Sequence, residues 1–211
     1  MFSATKLFCS GGRRPQVTIK GANGAQATSV TIPSHAVGDL ILIFAVRAST
    51  ALPGKPAASG TVPAWVDIDA SVQGSGYNVR TAYYVATATN HTSGAWASST
   101  AVAAVVLSGQ NASNPIGGHA SNGYTASAGA YPAPAVTMSN TDGSSQLISY
   151  AFQAYAVFNS WTVPGGYTSL ITANYSAACA SKDDTTSDGS VPFTYRTQSQ
   201  PGGAAQVEIC A

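Results

Sequence analysis

The sequence predicts an all-β protein, an antiparallel sandwich with jelly-roll-like wiring and an N-terminal arm. Three observations carry the prediction. Short apolar or alternating segments recur along the chain, divided by Gly, Pro, Asn and Ser clusters, at roughly the 8–12-residue spacing of sandwich strands. No segment combines helical length with a 3.6-residue apolar period. Turn formers are plentiful, with 21 Gly and 11 Pro, so the chain is able to reverse direction often.

The first candidate strand, "QVTIK" at 16–20, alternates and reads as half-exposed. "TSVTI" at 28–32 reads as a second strand, ended by Pro33. "DLILIFAV" at 39–46 is apolar on both sides of any strand, which predicts a central strand covered on both faces. The chain enters it through "PSHAVGD", where Asp39 is placed to accept backbone N–H groups in a turn. Further strands are expected at 64–68, 78–87, 101–107, 134–138, 146–154, 167–173, 192–197 and 204–209. "AVAAVVL" at 101–107 is Ala-rich, but its shortness and β-branching favour a strand. Between 108 and 133 the only large apolar side chains are Ile116, Tyr124 and Tyr131, so this stretch reads as a long surface excursion with little regular structure. No internal repeat, collagen triplet or heptad run stands out, and no fibrous shaft is expected.

Charge is sparse. Charged residues are 8% of the chain and the formal net charge is +1, so no global field attracts nucleic acid or an anionic membrane. No stretch approaches the roughly 18 apolar residues of a membrane helix, and membrane insertion is not expected. Ten Tyr, six Phe and three Trp argue against disorder. Lys6, Arg13, Arg14 and Lys20 place four of the nine basic residues in the first 27, with no acid. Residues 1–27 are therefore read as an anchoring arm or added edge strand, and 28–211 as the sandwich. The opening "MFSATKLFCSGGRRP" has only a short apolar stretch, and its arginines follow it rather than precede it, so no secretion signal is expected. Cys9, Cys179 and Cys210 are odd in number, leaving at least one free thiol; Cys179 and Cys210 are the candidates for a bridge.

The sequence is poor in catalytic patterns. His35, His91 and His119 stand in turn-like contexts without metal spacing, and no G-x-S-x-G elbow occurs. A glycosidase needs two facing carboxylates; Asp39, Asp67 and Asp69 show no such pattern, and Glu208 is the only Glu. Neither a catalytic residue nor a cofactor is expected. "KDDTTSDGS" gathers Asp183, Asp184 and Asp188, oxygen ligands of the kind calcium takes. It lacks the EF-hand spacing and bidentate Glu, so a solvated hairpin tip is the preferred reading. Among the aromatics, Tyr77, Tyr124 and Tyr131 are candidates for a surface that stacks on sugars or on a partner. Trp65, Trp96 and Trp161 are expected to plug the ends of the sandwich.

Five stretches in a fixed order, "VTIPSHAVGDLILIFAV", "RTAYYVATATNHTSGAW", "DGSSQLISYAFQA", "VPGGYTSL" and "AAQVEI", together resemble a widespread group of bacteriophage virion proteins. The order holds from about residue 28 to the end. Two departures are visible: "TVPAW" at 61–65 replaces a P-x-G-W turn, and "PGGAAQ" carries no tryptophan before the last strand. The motifs mark architecture and carry no active site. The resemblance implies a non-enzymatic structural protein, assembled in the bacterial cytoplasm and released in the virion by lysis. A capsid decoration (cement) protein is the preferred role. It would be a homo-oligomer, with a trimer favoured, held by major capsid or tail proteins. A tail-tip, baseplate or neck protein touching the host receptor is the alternative, as is a carbohydrate-binding module for a host surface glycan.

Overall fold

The computed structural model describes residues 16–70, 77–127, 130–153, 161–171, 177–183, 189–194 and 200–211. Twelve strands run through them: β1 (Thr18–Ala25), β2 (Leu40–Arg47), β3 (Val66–Asp69), β4 (Asn78–Val85), β5 (Ala101–Ser108), β6 (Ile116–Ser127), β7 (Ala130–Ala133), β8 (Gln146–Gln153), β9 (Thr168–Ile171), β10 (Ala177–Asp183), β11 (Val191–Thr194) and β12 (Gln200–Ile209). Among the described residues no helix occurs. The strands form a five-stranded sheet ordered β1-β5-β2-β4-β3, a second ordered β6-β12-β8-β10-β9, and the two-stranded sheet β11-β7. Every pairing is antiparallel.

The all-β sandwich class holds, and the apolar run of β2 explains its layering. Leu40 to Val46 are all buried. Leu40, Leu42, Phe44 and Val46 enter a core shared with Ile148, Tyr150, Phe152 and Val207 of the opposite sheet. Ile41, Ile43 and Ala45 point the other way, into a second cluster with Val30, Trp65 and Trp96. The second sheet is covered likewise, by Tyr131, Trp161 and Phe193 and by Val136 and Met138. Each sheet is thus buried on both faces. The three tryptophans are buried as expected of structural residues, but they roof the outer faces instead of plugging the ends.

The wiring corrects two expectations. Among the described strands no jelly-roll exchange between sheets occurs; β1–β5 complete one sheet before the second begins. The two sheets are also copies of one another. With β7 and β11 set aside, each reads first-fifth-second-fourth-third in its own half of the chain. The registers agree as well. Leu40 faces Leu107 and Val85, and Phe44 faces Ala103 and Thr81. Gln146 faces Ile209 and Asp183, and Tyr150 faces Ala205 and Cys179. The irregularities recur too. The third strands break step at Asp67/Asp69 and at Ser169/Ile171. The first strands do so just after Ile19, which faces Leu107, and just after Ile116, which faces Ile209. Phe44 and Tyr150 are therefore equivalent residues, and their rings stack across the core with centroids 4.9 Å apart and planes 6° from parallel. The repeat escapes a reading for identity because "SVTIPSHAVGDLILIFAV" and "AVTMSNTDGSSQLISYAF" share an apolar pattern and few residues.

Other differences follow from the same layout. Residues 28–32 and 134–138 are not strands; they are equivalent covering segments. Val30 and Ile32 pack on the first sheet, while Val136 and Met138 pack on the second. The stretch 108–133 holds β6 and β7. Its scarcity of large apolar groups suits an edge strand, whose pairing comes from backbone bonds to β12. β10 was not anticipated because "AACASKD" has no large apolar residue, yet it lies between β8 and β9 with Ala177 to Ser181 buried. The proposed arm boundary at 27 falls beyond β1, which is the edge strand of the first sheet.

Tyr150 tests the duplicated core. Its hydroxyl is buried and finds no hydrogen-bond partner among the described residues, and burial, with Cys179 beside it, raises its pKa. An unsatisfied buried hydroxyl costs on the order of 1 kcal/mol or more, and the other half already carries Phe at this place. Tyr150→Phe is expected to raise stability by about 1 kcal/mol, read as a higher urea midpoint at unchanged m-value.

Candidate functional site

The described residues with chemical potential fall into separate nodes, each at a strand entrance or edge. The largest is Glu208, on the outer face of the interior strand β12. Its side chain is fully buried. Gly118 N–H donates to Oε2 at 2.8 Å, Ser139 N–H to Oε2 at 2.6 Å, Asn140 N–H to Oε1 at 2.9 Å, and the Ser145 hydroxyl to Oε1 at 2.9 Å. Two glycines make room for this. A Cβ on Gly117 would stand 2.1 Å from Glu208 Oε2, and one on Gly118 2.1 Å from the Thr137 carbonyl oxygen. Burial alone would raise the Glu208 pKa. The three backbone donors and the hydroxyl outweigh it and hold the carboxyl below its ordinary value of 4.5. Glu208 is thus a fixed anion that ties β6, the 139–145 segment and β12 together. The neighbouring Cys210 thiol is pushed up to about 11, by burial first and then by the Glu208 charge, which leaves it protonated and weakly nucleophilic at neutral pH.

At the corresponding entrance of the first sheet, Asp39 has the role its turn predicts. Ala36 N–H donates to Oδ2 at 2.6 Å. The same oxygen accepts from Lys20 Nζ at 2.6 Å, with the Asp39 side chain 7% exposed. Lys20, expected as part of a free anchoring arm, is therefore a strand residue committed to its own domain. Lys6, Arg13 and Arg14 lie outside the described residues.

The histidines also differ from exposed turn residues. His35 is buried. Its Nδ1 stands 2.9 Å from the Pro33 carbonyl oxygen, so the proton sits there, and Nε2 accepts from His91 N–H at 3.2 Å. His91 Nδ1 faces the Thr61 carbonyl oxygen at 3.2 Å, while Nε2 accepts from Thr87 N–H at 3.1 Å and Ala88 N–H at 3.2 Å. The rings stack at 5.9 Å. Both nitrogens of each ring are used to close the loops over the first sheet. His119 lies on β6, and its Nδ1 stands 3.0 Å from Oδ1 of Asp69 on β3, a polar clasp between the two sheets. Asp67 is held by Lys55 at 2.9 Å, with Arg80 at 3.9 Å.

The remaining candidates are placed as follows. Tyr131 is a correction: it is fully buried, packed against Trp161 at 5.8 Å because β7 folds over the second sheet. Tyr124 is half-buried, and its hydroxyl donates to the Pro132 carbonyl oxygen. Tyr77 packs on Phe152 at 6.5 Å. Asp183 ends β10 and accepts from Gln146 Nε2; Asp184 and Asp188 lie outside the described residues. Among the described residues no group of three or more His, Cys, Asp or Glu is arranged to hold a metal ion. Cys179 and Cys210 are free, buried thiols and do not bridge; Cys9 lies outside the described residues. No local motif announces the role of Glu208. A lone carboxylate within the apolar "AAQVEI" is the signal that marks it.

Three concave places of similar size are present among the described residues, one of them a groove of about 540 Å³ beside Gly166, Thr168, Leu170 and Ser181. A second groove, of about 560 Å³, runs over the first sheet between residues 29–32 and 91–95. A cavity of about 470 Å³ opens beside Tyr167 and Lys182. Comparison with protein-family models, curated proteins and solved structures finds no match.

The Glu208 node gives a pH-dependent expectation. Because the folded pKa is depressed, its stabilisation is complete above the ordinary value of 4.5 and is lost as pH falls through the folded value. Glu208→Ala is expected to cost about 3 kcal/mol at pH 7, since several donors lose their acceptor. Glu208→Gln should cost less and flatten the acid limb below pH 4.5 in thermal melts across pH.

Proposed function

We propose that this protein is a non-enzymatic structural component of a bacteriophage virion, displayed on the particle as a capsid decoration protein. The observation that carries the reading is where the family-like motifs fall. "GDLILIFAV" leads into and forms β2, "NVRTAYYV" is β4, "QLISYAFQ" is β8, "TSLI" is β9 and "AAQVEI" ends β12. These are framework strands, and the polar groups at their entrances are engaged in holding backbone and neighbouring strands: Asp39, His35, His91, Ser145 and Glu208. Such a chain invests its chemistry in a rigid, charge-poor body, which suits display in many copies. Its partners in this reading are other virion proteins, and its assembly is a symmetric homo-oligomer.

The attachment expected of Lys6, Arg13 and Arg14 separates from that of Lys20. Removing residues 1–15 should leave a folded, soluble sandwich with reduced incorporation into particles. Removing 1–27 also takes away β1, turns the apolar β5 into an open sheet edge and should give aggregation. Quantitative mass spectrometry of purified particles decides the role. Hundreds of copies support decoration, a handful supports a tail position, and absence from particles refutes both.

A further inference from the structure

The outer side of an edge strand presents main-chain donors and acceptors that its own sheet does not use. Three of the four edges of the two large sheets are guarded against pairing with another chain. β3 is four residues long, carries Asp67 and Asp69, and breaks register between them. β9 is four residues long and lies opposite a register break between Cys179 and Ala180. β1 carries Lys20, and the roofing segment lies against it: the Asn23 side-chain amide donates to the Thr31 carbonyl oxygen at 3.0 Å, and a Cβ on Gly21 would stand 3.0 Å from Pro33. β6 lacks such guards over its middle. It is the longest of the twelve strands, at 12 residues, and contains no Lys, Arg, Asp, Glu or Pro. Its histidine, His119, is turned to Asp69 at 3.0 Å. Between two irregularities, His119 to Tyr124 run in unbroken register with Val207 to Gly202, and none of residues 116–124 is buried. Among the described strands β12 is the one neighbour of β6 in its sheet.

We infer that β6 is an interface for a second copy of this chain, pairing antiparallel with the β6 of that copy about a two-fold axis. Two second sheets, each of five strands, then join into one continuous sheet. A two-fold axis normal to the sheet keeps the inner faces of both copies on one side, so both cores stay closed. The run from His119 to Tyr124 extends about 20 Å at the usual rise of a strand. Ala120, Ser121, Asn122 and Gly123 in its middle are small, which lets two backbones approach to ladder distance. Self-pairing brings no Lys, Arg, Asp or Glu of β6 against its like, and it consumes the open edge of both copies at once, as an isologous contact does. On the same flank the first sheet ends in the four-residue β3, which presents little edge of its own. A ladder of small side chains buries a modest area, so the dimer should dissociate on dilution through the micromolar range. This inference rests on the homo-oligomer of the proposed virion role and names its surface.

The test uses the full chain. Sedimentation equilibrium should show a 21.3 kDa monomer in exchange with a species of twice that mass. Hydrogen exchange across 119–124 should slow as protein concentration rises, at alternate amides, while exchange in β1 stays unchanged. Asn122→Lys sets two like charges near the axis and should weaken dimerisation about tenfold or more, with the monomer still folded. Thr18→Lys puts the same charge on an exposed position of β1 and should leave the dimer intact. Should Asn122→Lys fail to fold, the concentration dependence of exchange in the unmodified chain decides alone. A dimer or trimer whose 119–124 amides exchange at one rate at all concentrations, or which is indifferent to a folded Asn122→Lys, overturns the inference and leaves the homo-oligomer standing on another surface. A monomer at every concentration overturns the inference and the homo-oligomer together, and the virion role is then judged by copy number.

Discussion

Phe44 and Tyr150 meet ring on ring at the centre of the molecule, and the remaining architecture is arranged around that contact. Each ring belongs to the middle strand of its own sheet, so the stack aligns two equivalent frameworks face to face. A sheet pressed inward at its centre still has another apolar face, and with 8% charged residues the chain has few side chains to offer water there. Both outer faces are therefore roofed by the chain itself. The roofing segments come from equivalent places, 28–32 and 134–138, and their backbone groups must be satisfied by something other than a sheet ladder. Ser93 in one half, which accepts from Val30 N–H, and Glu208 in the other, which accepts from Ser139 N–H, are the local solutions.

The two halves show how one framework accepts different chemistry. Val106 and Glu208 hold the same register position on the fifth strand, each opposite the second residue of the central strand. In the first half that position is apolar, and the nearby anion is Asp39, paired with Lys20. In the second half the anion has moved onto the strand, and Gly117 stands in the place of the lysine. A similar exchange occurs at the sandwich edges. β6 and β3 are clasped by His119 and Asp69; their counterparts in the other edge, Ala22 and Ile171, contribute to the apolar core. Polar differences between the halves thus lie at strand entrances and edges and, with Glu208, on the outer face of an interior strand, while the facing sides of β2 and β8 pack into the shared core.

Much of the framework was legible because it rests on large side chains at period two. "DLILIFAV" announced a strand buried on both faces, and "QLISYAFQA" and "AVAAVVL" gave its neighbours. Asp39 was legible too, since a carboxylate after Gly at a strand entrance has a local use. What lacked bulk was lost: β10 is held by its neighbours, and β6 by β12 and by the space its glycines leave. Residues 28–32 have strand-like alternation but pack as a roof, a distinction set by distant partners such as Ser93. Tyr131 looked like a loop aromatic because its burial depends on β11, some sixty residues further on. The Glu208 node joins residues from 118 to 208, a convergence that no local pattern encodes.

In both sheets the last strand of the half lies between the first and the second. This has a consequence for the order of assembly. A sheet grown by adding hairpins to one edge is a stable partial product at each step. Here β6 has no partner in its sheet until β12 arrives to join it to β8, and β1 waits for β5 in the same way. The second, fourth and third strands of each half can pair without it, but the first strand stays outside the sheet until the final strand enters, so those contacts, distant in sequence, form late. Topologies of this kind fold slowly. Until closure the apolar flanks of the central strands are available to other chains, which makes timely arrival of the final strand the step on which soluble yield depends.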